Sequence, residues 1–225
     1  QIFQMIEGEK LGSFWGYTFA GVWQEDDVNA PFVDANGQTN GKTNGEVYKV
    51  KPGNSKYVDV NKDGVYNDAD QGIIGCGQPT FNWGWNNTFN YKNFDFSFFV
   101  VGFHGFDIYN ATHQMGYNLI KSQQMAGVTP MRELLNRWTP TNTNTDIPGF
   151  VKGGTENKDF FSTRFVENGS FIKMKSITLG YTLPEATCRS LGINNLRVYA
   201  SVQNPFHITK YSGLDPEATM GSPLV

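Results

Sequence analysis

Aromatic residues recur at every second position through most of residues 81–91, which read FNWGWNNTFNY. Successive side chains of a β-strand point to opposite faces, so this spacing predicts a strand with one aromatic face and one polar or small face. The aromatic face carries Phe81, Trp83, Trp85, Phe89 and Tyr91, and the opposite face carries Asn82, Gly84, Asn86, Thr88 and Asn90.

The same alternation returns in four further segments, so the sequence predicts five strands. Residues 94–103 follow residues 81–91 after the tight connection YKNF, and the two segments form a predicted hairpin. Each predicted strand has about nine to twelve residues, close to the ~9–11 that a tilted strand needs to cross a bilayer. The predicted strands are residues 13–23, 81–91, 94–103, 171–183 and 196–204.

The connections between these strands differ strongly in length. Residues 24–80 and 104–165 are long and rich in Gly, Asn and Thr, whereas the connections at 91–94 and at about 184–195 are short. Alternating long and short connections place all long loops on one side of the sheet, as in a transmembrane β-barrel. A soluble β-sandwich would also alternate, but strand length, the aromatic face and the one-sided loops favour the barrel. The predicted fold is therefore all-β, a segment of an antiparallel up-and-down transmembrane β-barrel with long extracellular loops.

One short helix is predicted in the second long loop, over residues 129–138. Thr129 would cap its N-terminus, and Pro130 suits its first turn. Its apolar residues are spaced to form one stripe, which we expect to pack the loop onto the barrel. The stripe consists of Met131, Leu134, Leu135 and Trp138.

The segment DVNKDGVYNDAD, residues 59–70, matches the twelve-residue calcium-loop template. Oxygen ligands at alternate positions of a tightly turning loop converge on one point, and Gly64 permits the sharp turn. An Asx-rich surface turn stays an alternative, because Asn, Asp and Gly also favour turns, and position 12 is Asp in place of the usual Glu. The predicted ligands of a structural Ca²⁺ are Asp59, Asn61, Asp63, the backbone carbonyl of Val65, Asn67 and Asp70.

Composition and motifs argue against several other function classes. The net charge is -3 and Lys and Arg form no cluster, so nucleic-acid binding is not expected. The longest apolar run, residues 96–103, is far shorter than the ~20 residues of a membrane-spanning helix. The cysteines and histidines show no metal or redox spacing, and no catalytic motif is present, so we predict that the protein is not an enzyme. No motif pairs the carboxylates that a glycoside hydrolase would need, for which the candidates are Asp107, Glu133, Glu167, Asp215 and Glu217.

Five segments carry a family resemblance that covers nearly the whole chain. In order they read GSFWGYTFAGVWQ, DVNKDGVYNDADQGIIGCGQPTFNWGWNNTFNYKNFDFSFFVVGFHG, LLNRWTPTNTNTDIPG, FVENGSFIKMKSITLGYTLP and LRVYASVQNPFHITKYSGLDPE. This succession resembles the C-terminal part of the β-barrel of SusC/RagA-type TonB-dependent outer-membrane transporters.

The resemblance implies a plugged barrel of the 22-stranded class in the Gram-negative outer membrane, with lipid around its strands and loops outside the cell. Such a channel imports glycans or peptides, a SusD-like surface lipoprotein forms its lid, and TonB supplies energy from the inner membrane. We expect residues 1–225 to be the C-terminal portion of such a barrel, without its plug domain, its TonB box or its last strand.

A second hypothesis is a secreted, calcium-stabilised β-sandwich that binds carbohydrate by stacking exposed Trp and Tyr rings on sugars. Such a module needs only a few platform aromatics, whereas here rings line whole strand faces. Import as a channel subunit is therefore the favoured function. In that setting, bound Ca²⁺ would stiffen the external loop of residues 24–80.

Overall fold

The structure is a computed structural model that describes residues 7–117, 131–149 and 160–220. The chain forms two compact units, each built from two stretches of sequence. Residues 1–76 and 109–167 form the first, which we call the loop unit, and residues 77–108 and 168–225 form the second, which we call the sheet unit. No helix among the described residues is both long and apolar enough to span a membrane.

Short strands and helices characterise the loop unit, and four long strands characterise the sheet unit. In chain order the strands are β1 (Ser13–Tyr17), β2 (Phe19–Val22), β3 (Pro31–Val33), β4 (Thr39–Thr43), β5 (Ser55–Tyr57), β6 (Gln71–Cys76), β7 (Phe81–Tyr91), β8 (Phe94–His104), β9 (Asp107–Tyr109), β10 (Val166–Asn168), β11 (Phe171–Thr182) and β12 (Arg197–Thr209). The α-helices are α1 (Glu25–Asn29), α2 (Asn44–Tyr48), α3 (Ala111–Tyr117), α4 (Glu185–Ser190) and α5 (Pro216–Met220), and 3₁₀ helices cover Asp68–Asp70, Arg132–Asn136 and Thr163–Phe165.

The long strands form one antiparallel sheet in the order β12-β11-β8-β7. They contain 11, 11, 12 and 13 residues for β7, β8, β11 and β12. Strands of this length are sufficient to cross a bilayer at a tilt. The sheet contains the segments in which the sequence predicts its second, third, fourth and fifth strands.

The register of the sheet creates two chemically different faces, because directly paired residues lie on the same side. Phe89 pairs with Phe96, Phe96 with Leu179, and Leu179 with Ala200. We call the side that carries these residues the outer face, and it is apolar except for Asn87 and His104. The outer face consists of Phe81, Trp83, Trp85, Asn87, Phe89 and Tyr91 of β7, Phe94, Phe96, Phe98, Val100, Gly102 and His104 of β8, Ile172, Met174, Ile177, Leu179 and Tyr181 of β11, and Val198, Ala200, Val202, Phe206 and Ile208 of β12.

The opposite side, the inner face, changes character along the strands. Near the β7–β8 turn it is polar, with Thr88 paired to Ser97 and Ser97 to Thr178. Toward the other end it carries the core of the sheet unit, a cluster of buried apolar side chains against which Phe103 and Tyr211 pack. The cluster consists of Val101, Phe106, Ile108 and Phe171.

A β-bulge at Lys175 interrupts the alternation of β11. Met174 pairs with Val100 and Ser176 with Phe99, so Lys175 is an extra residue relative to β8. An extra residue reverses which face the following side chains occupy. For this reason Lys173 lies on the inner face, while Ile177, which is also odd-numbered, lies on the outer face.

The loop unit is built from three two-stranded antiparallel pairs, β1–β6, β2–β5 and β3–β4. It contains two separate clusters of buried apolar residues. One is centred on Phe14, Tyr109 and Phe165, and the other consists of Trp23, Val28 and Val50. The loop unit therefore has packed cores of its own.

The prediction of one strand over residues 13–23 is wrong. The segment forms β1 and β2, which pair with different strands in separate sheets. Tyr17 and Trp23 are buried in the loop unit. These rings of the alternating segment are therefore packed inside the loop unit and do not face lipid.

The helix predicted over residues 129–138 is also wrong in the part that the structure describes. Thr129 and Pro130 lie outside the described residues, and only Arg132–Asn136 is helical, as a 3₁₀ helix. It ends because Arg137 takes an extended conformation, with φ -61° and ψ 158°. The predicted stripe is divided, since Leu134 is buried whereas Leu135 is 79% exposed. The connections contain several short helices in place of the single one expected.

Candidate functional site

The outer face exposes its rings to the surroundings. Trp85 is 54% exposed and Tyr91 is 70% exposed, as are many of their neighbours to a similar degree. Contiguous apolar surface costs about 25 cal/mol per Å² in water, and patches of this kind mark surfaces that contact another apolar medium. The outer face therefore requires an apolar environment.

Rings with a polar atom lie at both ends of the outer face. At the end near the β7–β8 turn, Tyr91 is present and the rings of Phe94 and Tyr181 are 4.6 Å apart. At the far end, Trp83 Nε1 donates a hydrogen bond to His104 Nε2 at 3.2 Å. Amphipathic rings at both edges of an apolar band are typical of strands that cross a membrane.

The polar half of the inner face contains an ion pair that spans three strands. Arg197 of β12 donates to both carboxylate oxygens of Asp95 in β8, at 3.0 and 2.5 Å. It reaches across β11 at Gly180, where a Cβ atom would come within 2.4 Å of Asp95 Oδ1. Thr178 and Ser201 are joined by a hydroxyl hydrogen bond of 2.9 Å on the same face. This half of the inner face is suited to contact with water and polar solutes.

The predicted calcium ligands lie in one compact loop of the loop unit, and most of their oxygens accept backbone hydrogen bonds. Asp59 Oδ2 accepts from Gly64 N, and Asp70 Oδ1 accepts from Val60 N. Asp63 Oδ1 accepts from Val65 N, and this bond and the side-chain bond from Asn61 lower the pKa of Asp63. The loop is thereby held in a tight series of Asx-type turns.

Two tyrosines brace this loop from one side. Tyr48 donates from its hydroxyl to Asp59 Oδ2 at 2.8 Å, and its ring stacks on that of Tyr66 with centroids 5.2 Å apart. Burial raises the pKa of Tyr48, and the hydrogen bond to Asp59 raises it further. Burial raises the pKa of Tyr66 to about 12. Both tyrosines are therefore neutral at physiological pH, with Tyr48 donating to Asp59 and Tyr66 accepting a hydrogen bond from Tyr57 N.

The loop fits calcium only in part. Asp59 Oδ1 is buried and accepts no hydrogen bond, which is the environment of an oxygen that a cation could satisfy. Within the described ranges, however, no three His, Cys, Asp or Glu side chains are grouped so as to hold a metal ion. The geometry matches the Asx-turn alternative, and calcium binding stays a prediction.

Curated sequences and solved structures both contain proteins similar to this chain. No protein-family model matches the chain. TonB-dependent receptor P3 of Formosa agariphila is 35% identical over 212 residues, which cover 94% of this chain and 19% of the relative. TonB-dependent receptor SusC of Bacteroides thetaiotaomicron is 32% identical over 173 residues, covering 76% of this chain and 16% of the relative. The solved structure of the RagAB peptide transporter matches 97% of this chain and 22% of its own, with a TM-score of 0.66 and 22% identity.

The chain belongs to the SusC/RagA-type TonB-dependent transporters. It spans about a fifth of the length of the curated relatives it matches. Proteins of this family lie in the outer membrane. The outer face is therefore the lipid-facing side of a SusC/RagA-type barrel wall, and the inner face is the side toward the lumen.

Sequence reasoning located the lipid face of this barrel segment and placed Asp95 and Arg197 on the opposite face, but it did not predict the ion pair between them or the inner-face position of Lys173. Asp95, Lys173 and Arg197 stand in strands that are otherwise short of charge, and a charge inside a predicted membrane strand indicates the lumen side. That signal was present in the sequence.

Proposed function

We propose that this chain forms part of the channel wall of an outer-membrane importer of oligosaccharides or peptides. The importer acts in a SusCD-like complex that is energised by TonB. The observation that supports this most strongly is the sheet with an exposed apolar outer face and a polar inner face. A single-layered wall of this kind separates lipid from an aqueous path.

The relatives support the same class of function. Those named above are a receptor dependent on TonB, SusC itself and a peptide transporter, and none bears the name of an enzyme. A SusD-like surface lipoprotein as lid, and TonB as the source of energy, are the partners we propose. The carbohydrate-binding sandwich is less well supported, since no second sheet covers the outer face among the described residues of the sheet unit.

The test is uptake by cells that carry the full-length transporter containing this chain. Val202→Arg places a charge on the outer face near the middle of β12, where it should cost about 2–4 kcal/mol in lipid. We expect this variant to lose outer-membrane assembly and growth on the cargo. The matched variant Ser201→Arg, one residue along on the inner face, should assemble and retain import. The proposal would be contradicted if the two variants assembled and imported equally well. It would also be contradicted if cells that lack the transporter grew on every oligosaccharide and peptide as well as cells that carry it.

We further propose that the loop of residues 59–70 binds a structural Ca²⁺, with the six ligands predicted from the sequence. Its support is the template match and the buried, unpartnered Asp59 Oδ1. Bound Ca²⁺ would hold this external loop in a fixed shape. Extracellular calcium modules bind at about 10⁻⁴ to 10⁻³ M.

Limited proteolysis of the full-length transporter tests the calcium proposal. Chelation with EDTA should speed trypsin cleavage at Lys56 and Lys62, and added Ca²⁺ should reverse the effect. Asp59→Asn should abolish this response. Asp34→Asn is the matched control, because Asp34 also accepts backbone hydrogen bonds but lies outside the loop. If EDTA did not change the rate of trypsin cleavage in the unsubstituted protein, a stabilising ion would be excluded.

A further inference from the structure

The chain that follows β12 turns back across the inner face. We call residues 210–217 the strap. Thr209 Oγ1 donates to the carbonyl of Ser170, which fixes the start of the strap, and Tyr211 packs against the apolar cluster of the inner face. Near its other end, Pro216 is fully buried. The strap therefore lies against the sheet and does not project from its rim.

Two lysines of β11 bind the carboxylates of the strap. Lys173 Nζ donates to Asp215 Oδ2 and to Glu217 Oε2, at 2.7 Å in each case. Lys175 Nζ donates to the other oxygen of Glu217. Lys173 is only 6% exposed, so its charge depends on these two carboxylates for compensation.

The bulge in β11 makes this arrangement possible. It gives Lys175 a place on the side of the strap, and it restores the apolar outer face from Ile177 onward. His207 of β12 is exposed and pairs directly with Lys173 on the same face, so three basic side chains lie close to the strap. The strap supplies the opposing negative charge.

The end of the strap is held by ion pairs, and this affects how firmly it is attached. A buried ion pair contributes little net stability compared with apolar packing, because desolvation offsets the attraction, whereas loss of one partner is strongly destabilising. Burial by itself would raise the pKa of Glu217, but hydrogen bonds and charge from Lys173 and Lys175 lower it. The cluster thus fixes one position of the strap without making its attachment permanent.

We propose that Lys173 and Lys175 form an ionic latch that positions the strap on the lumen side of the barrel wall, and that the strap opens as a unit when the latch is broken. Opening exposes Lys173, which then forms a basic patch with Lys175 and the already exposed His207 beside the path of the cargo. The latch itself follows from the contacts of the sheet unit, and its location beside a cargo path rests on the proposed function.

Hydrogen-deuterium exchange of the full-length transporter in detergent tests the latch. The reporting amides are Tyr211 N, which donates to Thr209 Oγ1, and Glu217 N, which donates to Asp215 Oδ1. In Lys173→Met/Lys175→Met we expect exchange over residues 210–217 to rise at least about tenfold, while exchange in β11 and β12 is unchanged. Arg189→Gln is the matched control, because it removes a cation from an exposed ion pair with Glu185 and should leave the strap unchanged.

A second variant protects the test against misfolding of the sheet. Asp215→Asn/Glu217→Gln changes only the strap, and it should also raise exchange over residues 210–217. Strap exchange that stays at the level of Arg189→Gln in both variants would overturn the latch. Exchange that rises equally in β11 and β12 would also overturn it, since the cluster would then hold the sheet itself. Neither result depends on import, so failure of the latch and failure of the proposed function are distinguishable.

Discussion

At the scale of single residues, the outer face depends on a glycine beneath a tryptophan. A Cβ atom on Gly102 would lie 2.3 Å from the indole of Trp83, which donates to His104. Gly102→Ala should displace this ring and cost about 1–3 kcal/mol, as overpacking does elsewhere. Urea unfolding followed by tryptophan fluorescence measures the change. Gly72→Ala, where a Cβ atom would meet nothing within 4 Å, should have little effect, and equal losses in both would show that the Trp83 contact is not tight.

The strap should respond to pH through its carboxylates. Burial opposes ionisation, but Lys173 outweighs it and lowers the pKa of Asp215, and Lys173 with Lys175 lowers that of Glu217. A lowered pKa in the folded state gives stability that is complete above the ordinary carboxyl pKa and is lost as pH falls through the folded value. The strap should therefore stay closed from pH 8 to about pH 5 and open only at more acid pH.

Exchange over residues 210–217, corrected for the intrinsic pH dependence of exchange, measures this response. His207 also faces the cluster, beside Lys173. Opening between pH 7 and about pH 5, where histidines ordinarily titrate, would contradict control by the carboxylates.

At the scale of elements, the bulge at Lys175 determines which residues of β11 face lipid. Deletion of Lys175 together with Ser176 would put Lys173 and Ile177 on the same face, so either a charge would enter lipid or apolar residues would enter the lumen. We expect the deletion to abolish assembly of the full-length transporter, read as loss of the heat-modifiable band on a gel. Deletion of Lys175 alone gives regular alternation with both faces unchanged and should assemble, and equal assembly of the two deletion variants would show that the register does not determine the lipid face.

Alternation in the sequence could predict the long strands, but it could not show whether an aromatic face contacts lipid or packs inside a protein core. In β7 and β12 one face is apolar because it meets lipid, and the pattern extends over the whole strand. In residues 13–23 the same pattern arises from two short strands, with the rings of Tyr17 and Trp23 buried in the loop unit, and periodicity alone does not separate these cases. The phase change at Lys175 was visible in the sequence, because regular alternation begins only at Ser176.

Some parts of the candidate site could be predicted from the sequence and others could not. The lipid face follows from residue type and spacing. The ion pair of Asp95 with Arg197, and the latch of Lys173 with Asp215, join residues far apart in the chain, and only the register and the return of the strap bring them together. The calcium template fixes which oxygens are near one another, but not whether they bind an ion or backbone amides.

At the scale of the whole molecule, the chain comprises a sheet unit with two chemically different faces and a separately packed loop unit. The family assignment and the chemistry of the faces agree, because a transporter wall must be apolar toward lipid and polar toward its lumen. The inner face carries mixed polar and charged groups, as a wall that borders an aqueous path requires.

Thiol accessibility along β12 tests the central claim most directly. Single cysteines at successive positions from Val198 to Gln203 are introduced into the full-length transporter, with Cys76 and Cys188 replaced by serine, and intact outer membranes are treated with a water-soluble maleimide. We predict labelling at positions 199, 201 and 203, which face the lumen, and protection at positions 198, 200 and 202, which face lipid. Labelling without alternation, or with the opposite phase, would contradict the account.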